Sequence, residues 1–178
     1  MRVLGIDTGL AATGYGVIEA TGGVCRLVEG GVIETAASEA LTARLSRIHA
    51  AIGQVIEDFS PEQVVVEDLY AKYRHPRTAI MMGHARGVIL LAAAERGLAV
   101  ESYQASLVKR ALTGSGRASK QQVRRMVAQV LRLPEPPSPD HVGDALALAI
   151  CHANPARAGK DLPPAVARAI AQAKGERR

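Results

Sequence analysis

Three apolar, strand-prone runs follow one another at the start of the chain: Arg2 to Thr8, Tyr15 to Ala20 and Val24 to Glu34. Gly9 bounds the first, and Thr21-Gly22-Gly23 separates the second from the third. Connections this short cannot carry a crossover, so the three runs predict an antiparallel meander. The pattern then changes. Leu41, Leu45, Ile48, Ile52, Val55, Ile56 and Phe59 recur mostly at steps of three and four, the mark of an amphipathic helix that stops before Ser60-Pro61. Gln63 to Glu67 is short, β-branched and preceded by a helix, which predicts a parallel strand reached by a right-handed crossover. A helix over Thr78 to Arg96, with Met81, Met82, Ala85, Val88, Ile89 and Ala92 on its apolar side, and a strand over Ala99 to Tyr103 repeat that step. Helices then follow over Ala105 to Leu112, over Ser119 to Leu131 with Ser119 as N-cap, and from about Pro139 to His152. The four prolines between Leu133 and Pro139 mark a connector, and Ser138-Pro139 reads as an N-cap followed by proline at the first helical position. The fold class is α/β, a five-stranded mixed sheet flanked by helices.

At 178 residues the chain is close to the roughly 150 of one domain, and 48% hydrophobic content supplies a real core. Its longest stretches without Asp, Glu, Lys or Arg hold 11 and 12 residues, short of the roughly 18 a spanning helix needs. No membrane role is expected, and Asp7 interrupts any signal-peptide core, so the expected location is the cytoplasm. Cys25 and Cys151 lack metal or redox spacing and read as small structural thiols. The charge is segregated. Residues 1–68 hold four bases against ten acids, residues 69–132 hold twelve against two, and residues 133–154 hold none against three. A basic block between acidic ones suits a surface that grips a polyanion beside a cluster that holds cations, although solvated helix faces would give the same count.

Asp7 ends the first strand and Glu67 the fourth, so neighbouring strands would bring the two carboxylates together at the sheet end where ligands collect. His141 and Asp144 share a helix face, as do Asp140 and Asp144, and spacing leaves open which of the two accompanies Asp144. An oxygen-rich set with one imidazole suits Mg²⁺ or Mn²⁺ better than Zn²⁺. Two such ions on a phosphodiester activate the attacking water and stabilise the leaving oxygen. The plainer reading makes Asp7 a turn acceptor and Asp140 and Asp144 dipole-favourable acids early in a helix.

Five groups of residues fall in one order: Gly5-Ile6-Asp7-Thr8-Gly9 with Gly14-Tyr15-Gly16-Val17-Ile18, Val66-Glu67-Asp68-Leu69-Tyr70, Gly83-His84-Ala85-Arg86-Gly87, Val108-Lys109, and Asp144 to Ala149. In this the chain resembles the RuvC-type Holliday junction resolvases from residue 1 to about 153. The resemblance implies an RNase H-like fold of βββαβαβαα order and a homodimer. It implies a metal-dependent endodeoxyribonuclease that places paired symmetric nicks in four-way junction DNA during recombination and repair, leaving 5′-phosphate and 3′-hydroxyl ends. It also implies work alongside the RuvA and RuvB branch-migration proteins. Residues 1–154 are then the nuclease domain and residues 155–178 a basic, Ala-rich tail.

Carried over by position, Asp7, Glu67, His141 and Asp144 hold two Mg²⁺ or Mn²⁺ ions, and Lys120 joins them in catalysis. His141 stands where many members have Asp, and Thr8 where the family usually has Pro. Tyr70 matches an aromatic that meets exposed bases, and base stacking is worth about 1–3 kcal/mol. Lys109 and Lys120 match DNA-contacting positions, while Tyr73, Arg74, Arg77, Arg110 and Arg117 are DNA contacts expected from aromatic character or charge. The long helix with Met81-Met82 and Leu90-Leu91 is the expected dimer surface. Competing readings are an actin-like phosphate loop at Asp7-x-Gly9 with Thr13, for which the chain lacks a second half-domain, an RNA-cutting relative, and a non-catalytic junction binder.

Overall fold

A computed structural model describes residues 1–68 and 76–154. Tyr70, Tyr73, Arg74 and the 155–178 tail lie outside the described residues. Strands β1 (Arg2–Asp7), β2 (Ala12–Thr21) and β3 (Val24–Glu34) precede helix α1 (Leu41–Phe59), strand β4 (Gln63–Glu67) and helix α2 (Pro76–Ala94). Strand β5 (Val100–Tyr103) and helices α3 (Ala105–Thr113), α4 (Lys120–Leu131) and α5 (Asp140–Ala153) complete the order. The sheet runs β3-β2-β1-β4-β5, antiparallel through the first three strands and parallel from β1 to β4 to β5. That is the RNase H-like arrangement.

Alternation along the central strands divides the core in two. Val3, Ile18 and Val65 face α3, α4 and α5, where Leu146 and Ile150 are almost wholly buried. Leu4, Ile6, Val17, Val64 and Val66 face the other way, against Ile48, Ile52 and Ile56 of α1 and Ala85, Ile89, Ala92 and Ala93 of α2. Successive strand side chains point to opposite faces, so one strand serves both layers. Helix α5 lies directly on the sheet. A Cβ at Gly5 would strike the Ala145 carbonyl, and one at Gly14 the His141 carbonyl, so helix and strand approach backbone to backbone.

The structure differs from the sequence reading at several boundaries. β2 begins at Ala12 rather than Tyr15, because β3 is long enough to pair Ala12 with Glu34. Strand β1 stops at Asp7, and α2 spans Pro76–Ala94 instead of Thr78 to Arg96. Met81, Met82 and Val88 are half-buried, while the helix's fully buried stripe includes Ala93. Ser138 is not the N-cap of α5: Pro139 holds that position in extended backbone, φ −69° and ψ 174°, across a cis Ser138–Pro139 bond, and the helix starts at Asp140. Ser119 caps α4 as expected, accepting from the Gln122 N–H while the Gln122 side chain accepts from the Ser119 N–H. Cys151 is buried, which pushes its thiol up to about 11, and Cys25 is half-buried.

Candidate active site

Asp7 and Glu67 end adjacent parallel strands, so both carboxylates leave the sheet at the same edge. The first turns of α5 cross that edge because the sheet offers glycine beneath them, and this places His141 and Asp144 beside Asp7. The His141 imidazole Nδ1 lies 2.7 Å from Asp7 Oδ2. An ionised Asp7 can only accept here, so Nδ1–H donates to it, and in the neutral tautomer that does so the ring's lone pair lies on Nε2. Lys120, the first residue of α4, donates from Nζ to Asp144 Oδ2 at 2.9 Å. A cleft of about 210 Å³ opens here, lined by Asp7, Glu67, Asp144, Lys109 and Lys120 above an apolar floor that includes Val108 and Leu148.

Burial pushes the Asp7 carboxyl above its ordinary value, the His141 hydrogen bond opposes this, and the Asp144 charge adds to it. Glu67 is raised by burial and then by the charges of Asp7 and Asp144, with Lys120 and Lys109 pulling the other way. The hydrogen bond to Asp144 pushes Lys120 up. These directions describe negative charge crowded into a partly dry cleft and answered by nearby cations. The donors, three carboxylates and an imidazole, fit a hard divalent cation. In the arrangement seen, Asp7 is joined to His141 and Asp144 to Lys120. Among the described residues no three His, Cys, Asp or Glu side chains close to ligand distance.

Of the residues singled out in the sequence, Asp7, Glu67, His141, Asp144, Lys109 and Lys120 come together. Arg77, Arg110 and Arg117 are exposed on α2, on α3 and in the α3–α4 connection. Asp140 turns away to Arg124 Nη1 at 2.5 Å, leaving His141 as the residue that meets Asp7. Two features escaped the sequence reading. Arg124 also donates to the Pro137 carbonyl at 2.8 Å, holding the approach to α5. Arg86 donates to the Glu67 carbonyl at 2.8 Å and to Ser102 Oγ at 2.7 Å. The signal for Arg86 was its place in the Gly83 to Gly87 group, a charge beside the buried stripe of α2.

The family model described as crossover junction endodeoxyribonuclease RuvC matches residues 3–152. The crossover junction endodeoxyribonuclease RuvC of Moorella thermoacetica is 49% identical over 154 residues, covering 86% of this chain and 92% of that protein. Among solved structures, Thermus thermophilus RuvC in complex with Holliday junction substrate is 40% identical, with a TM-score of 0.82 over 92% of this chain and 99% of that one. The structure of Thermus thermophilus RuvC is 42% identical with a TM-score of 0.80, covering 86% and 93% of the two chains. With the model match spanning β1 to α5 and relatives covered almost end to end, the chain belongs to the RuvC family of crossover junction endodeoxyribonucleases.

Proposed function

We propose that this chain is a dimeric, structure-selective DNA endonuclease that resolves Holliday junctions in recombination and repair by paired symmetric nicks. One observation carries the reading: Asp7, Glu67 and Asp144, from three separate elements, line one cleft with Lys109 and Lys120. Asp7, Glu67, His141 and Asp144 are the residues that would hold two divalent cations, Mg²⁺ or Mn²⁺. Those ions, when bound, supply Lewis-acid activation of water and stabilisation of the leaving 3′-oxygen. The protein's part is positional and electrostatic. The ends of β1 and β4 present two carboxylates from adjacent strands, and α5 brings the third with the imidazole. Lys120, its side chain 69% exposed, reaches into solvent from the cleft and supports the charge that develops on the phosphate. Lys109 draws the scissile strand toward the carboxylates. Hydrolysis in this sense leaves a 5′-phosphate and a 3′-hydroxyl.

On this reading Arg74, Arg77 and Arg117 contact phosphates, Tyr73 contacts DNA, and Tyr70 stacks on an unpaired base at the junction centre. Residues 1–154 form the nuclease domain, with residues 155–178 as a basic appendage. Two matched nicks need two sites, which the second copy supplies. Its surface is the outer face of α2. There Ile80 and Leu91 are 57% and 52% exposed, and added Cβ atoms at Gly83 and Gly87 would meet nothing within 4 Å. RuvA and RuvB are the proposed companions, and the cytoplasm the proposed location. No helix among the described residues is long and apolar enough to cross a membrane.

The test is cleavage of a labelled four-way junction beside linear duplex and an RNA–DNA hybrid, in Mg²⁺ and separately in Mn²⁺, with wild type and Asp7→Asn. Paired symmetric nicks confined to the junction, abolished by Asp7→Asn with junction binding intact, are the expected result. Preferential cutting of the hybrid would move the assignment to an RNA-directed nuclease, and binding without cleavage in either metal would make the protein a junction binder.

A further inference from the structure

We infer that Arg86 is a positioning residue for Glu67, a tie through which α2 holds the end of β4 in the pose a cation site needs. The inference rests on reading Asp7, Glu67, His141 and Asp144 as that site. Glu67 stands at a vulnerable point of the sheet. The β1–β4 pairing ends at Ile6 and Val66, one residue earlier, so Glu67 lies past the last bridge on that flank. On the other flank Glu67 stands opposite Tyr103, and the Asp68 N–H donates to the Tyr103 carbonyl at 2.9 Å. Glu67 is the last residue of β4. A carboxylate carried at such an end inherits whatever freedom its backbone has.

Arg86 removes that freedom. Its Nη1 donates to the Glu67 carbonyl at 2.8 Å and its Nη2 to Ser102 Oγ at 2.7 Å, so one planar fork joins the last residue of β4 to β5. A guanidinium presents these donors in a fixed geometry, which an ammonium cannot reproduce. The bond from Arg86 goes to the Glu67 main-chain carbonyl, not to its carboxylate. Arg86 therefore acts on Glu67 through the backbone. Nor does α2 depend on Arg86 for its seat, since Ala85, Ile89, Ala92 and Ala93 are fully buried in the core between sheet and helix. The two hydrogen bonds fall where the site is built, and they do for Glu67 what outer-shell hydrogen bonds do for metal ligands generally.

The experiment is direct Mn²⁺ binding to the full chain, followed by loss of the free-ion electron paramagnetic resonance signal. Wild type is compared with Arg86→Ala, Arg86→Lys, Ser102→Ala and Arg96→Ala. Arg96 bonds Glu57 of α1 at 2.5 and 3.2 Å from just beyond the C-terminal end of α2, and so reports what losing a tie of this helix does to the fold alone. Arg86→Ala should weaken Mn²⁺ binding roughly 10- to 100-fold, the usual range for losing an outer-shell contact. Ser102→Ala, which keeps the Glu67 bond, should show a smaller loss, and Arg86→Lys should fall between. Arg96→Ala should lower the melting temperature with Mn²⁺ affinity unchanged, and metal-free junction affinity should be the same in Arg86→Ala as in wild type. Wild-type Mn²⁺ affinity in Arg86→Ala, or an equal loss in Arg96→Ala, overturns the inference. Should Arg86→Ala fail to fold, unchanged affinity in both Arg86→Lys and Ser102→Ala overturns it instead. Failure of wild type itself to bind Mn²⁺ is a different result, and overturns the reading of the site on which the inference stands.

Discussion

Asp7 and Glu67 are held against their own electrostatics. Burial and neighbouring carboxylates raise both, so the folded chain binds their protons more tightly than the unfolded chain does. With folded pKa above unfolded, stability falls as pH rises from the ordinary carboxylate value through the raised one, and the penalty is complete above the raised value. Glu67→Gln removes its share of that penalty. In cation-free protein at pH 7.5 this variant should melt above wild type, by about 2–4 °C for each kcal/mol relieved, and the gap should narrow as the pH is lowered through the raised value. Calorimetry across pH checks this, and a variant that melts below wild type at pH 7.5 would contradict it. Residue identity was legible in the sequence where position along an element sufficed: Asp7 and Glu67 each close a strand-like run. It was ambiguous at 140 and 141, which both share a face with Asp144. Only the docking angle of α5 turns His141 to Asp7 and Asp140 to Arg124.

At the scale of elements, the seat of α5 decides the site. Gly14 pairs with Asp7 across the β1–β2 ladder and lies under the His141 carbonyl. Gly14→Ala forces a methyl into helix backbone that has no rotamer to yield, and should cost about 1–3 kcal/mol in a denaturant melt. Because the displaced turn carries His141 and Asp144, junction cleavage should fall further than the stability loss explains while junction binding persists. Cleavage that tracks only the folded fraction would refute this. The helices and most strands were readable from periodicity, since burial on one face imposes it. The ends of β2 and α5 were not. Ala12 joins β2 because β3 offers Glu34 opposite it, and Pro139 rather than Ser138 precedes the helix because of the path taken by the connector.

Across the whole molecule, the proposed function calls for a second copy docked on the outer face of α2. Leu91→Glu places a charge on a side chain already 52% exposed in the single chain, so folding should be preserved. Light scattering should show the mass of two chains falling to that of one. The junction should then receive unpaired single nicks in place of coordinated ones. A variant that stays dimeric would move the interface elsewhere. The sequence by itself determined the order of strands and helices, the α/β class, the acids at the strand ends and the family, because hydrophobic period and local motifs are written along the chain. Tertiary structure decided what spacing could not, that His141, the residue the family resemblance singles out, and not Asp140 reaches Asp7; it alone decided that glycines admit α5 against the sheet and that Arg86 reaches the Glu67 carbonyl. Those contacts join residues 19 or more positions apart, and only the packing of whole elements sets such distances.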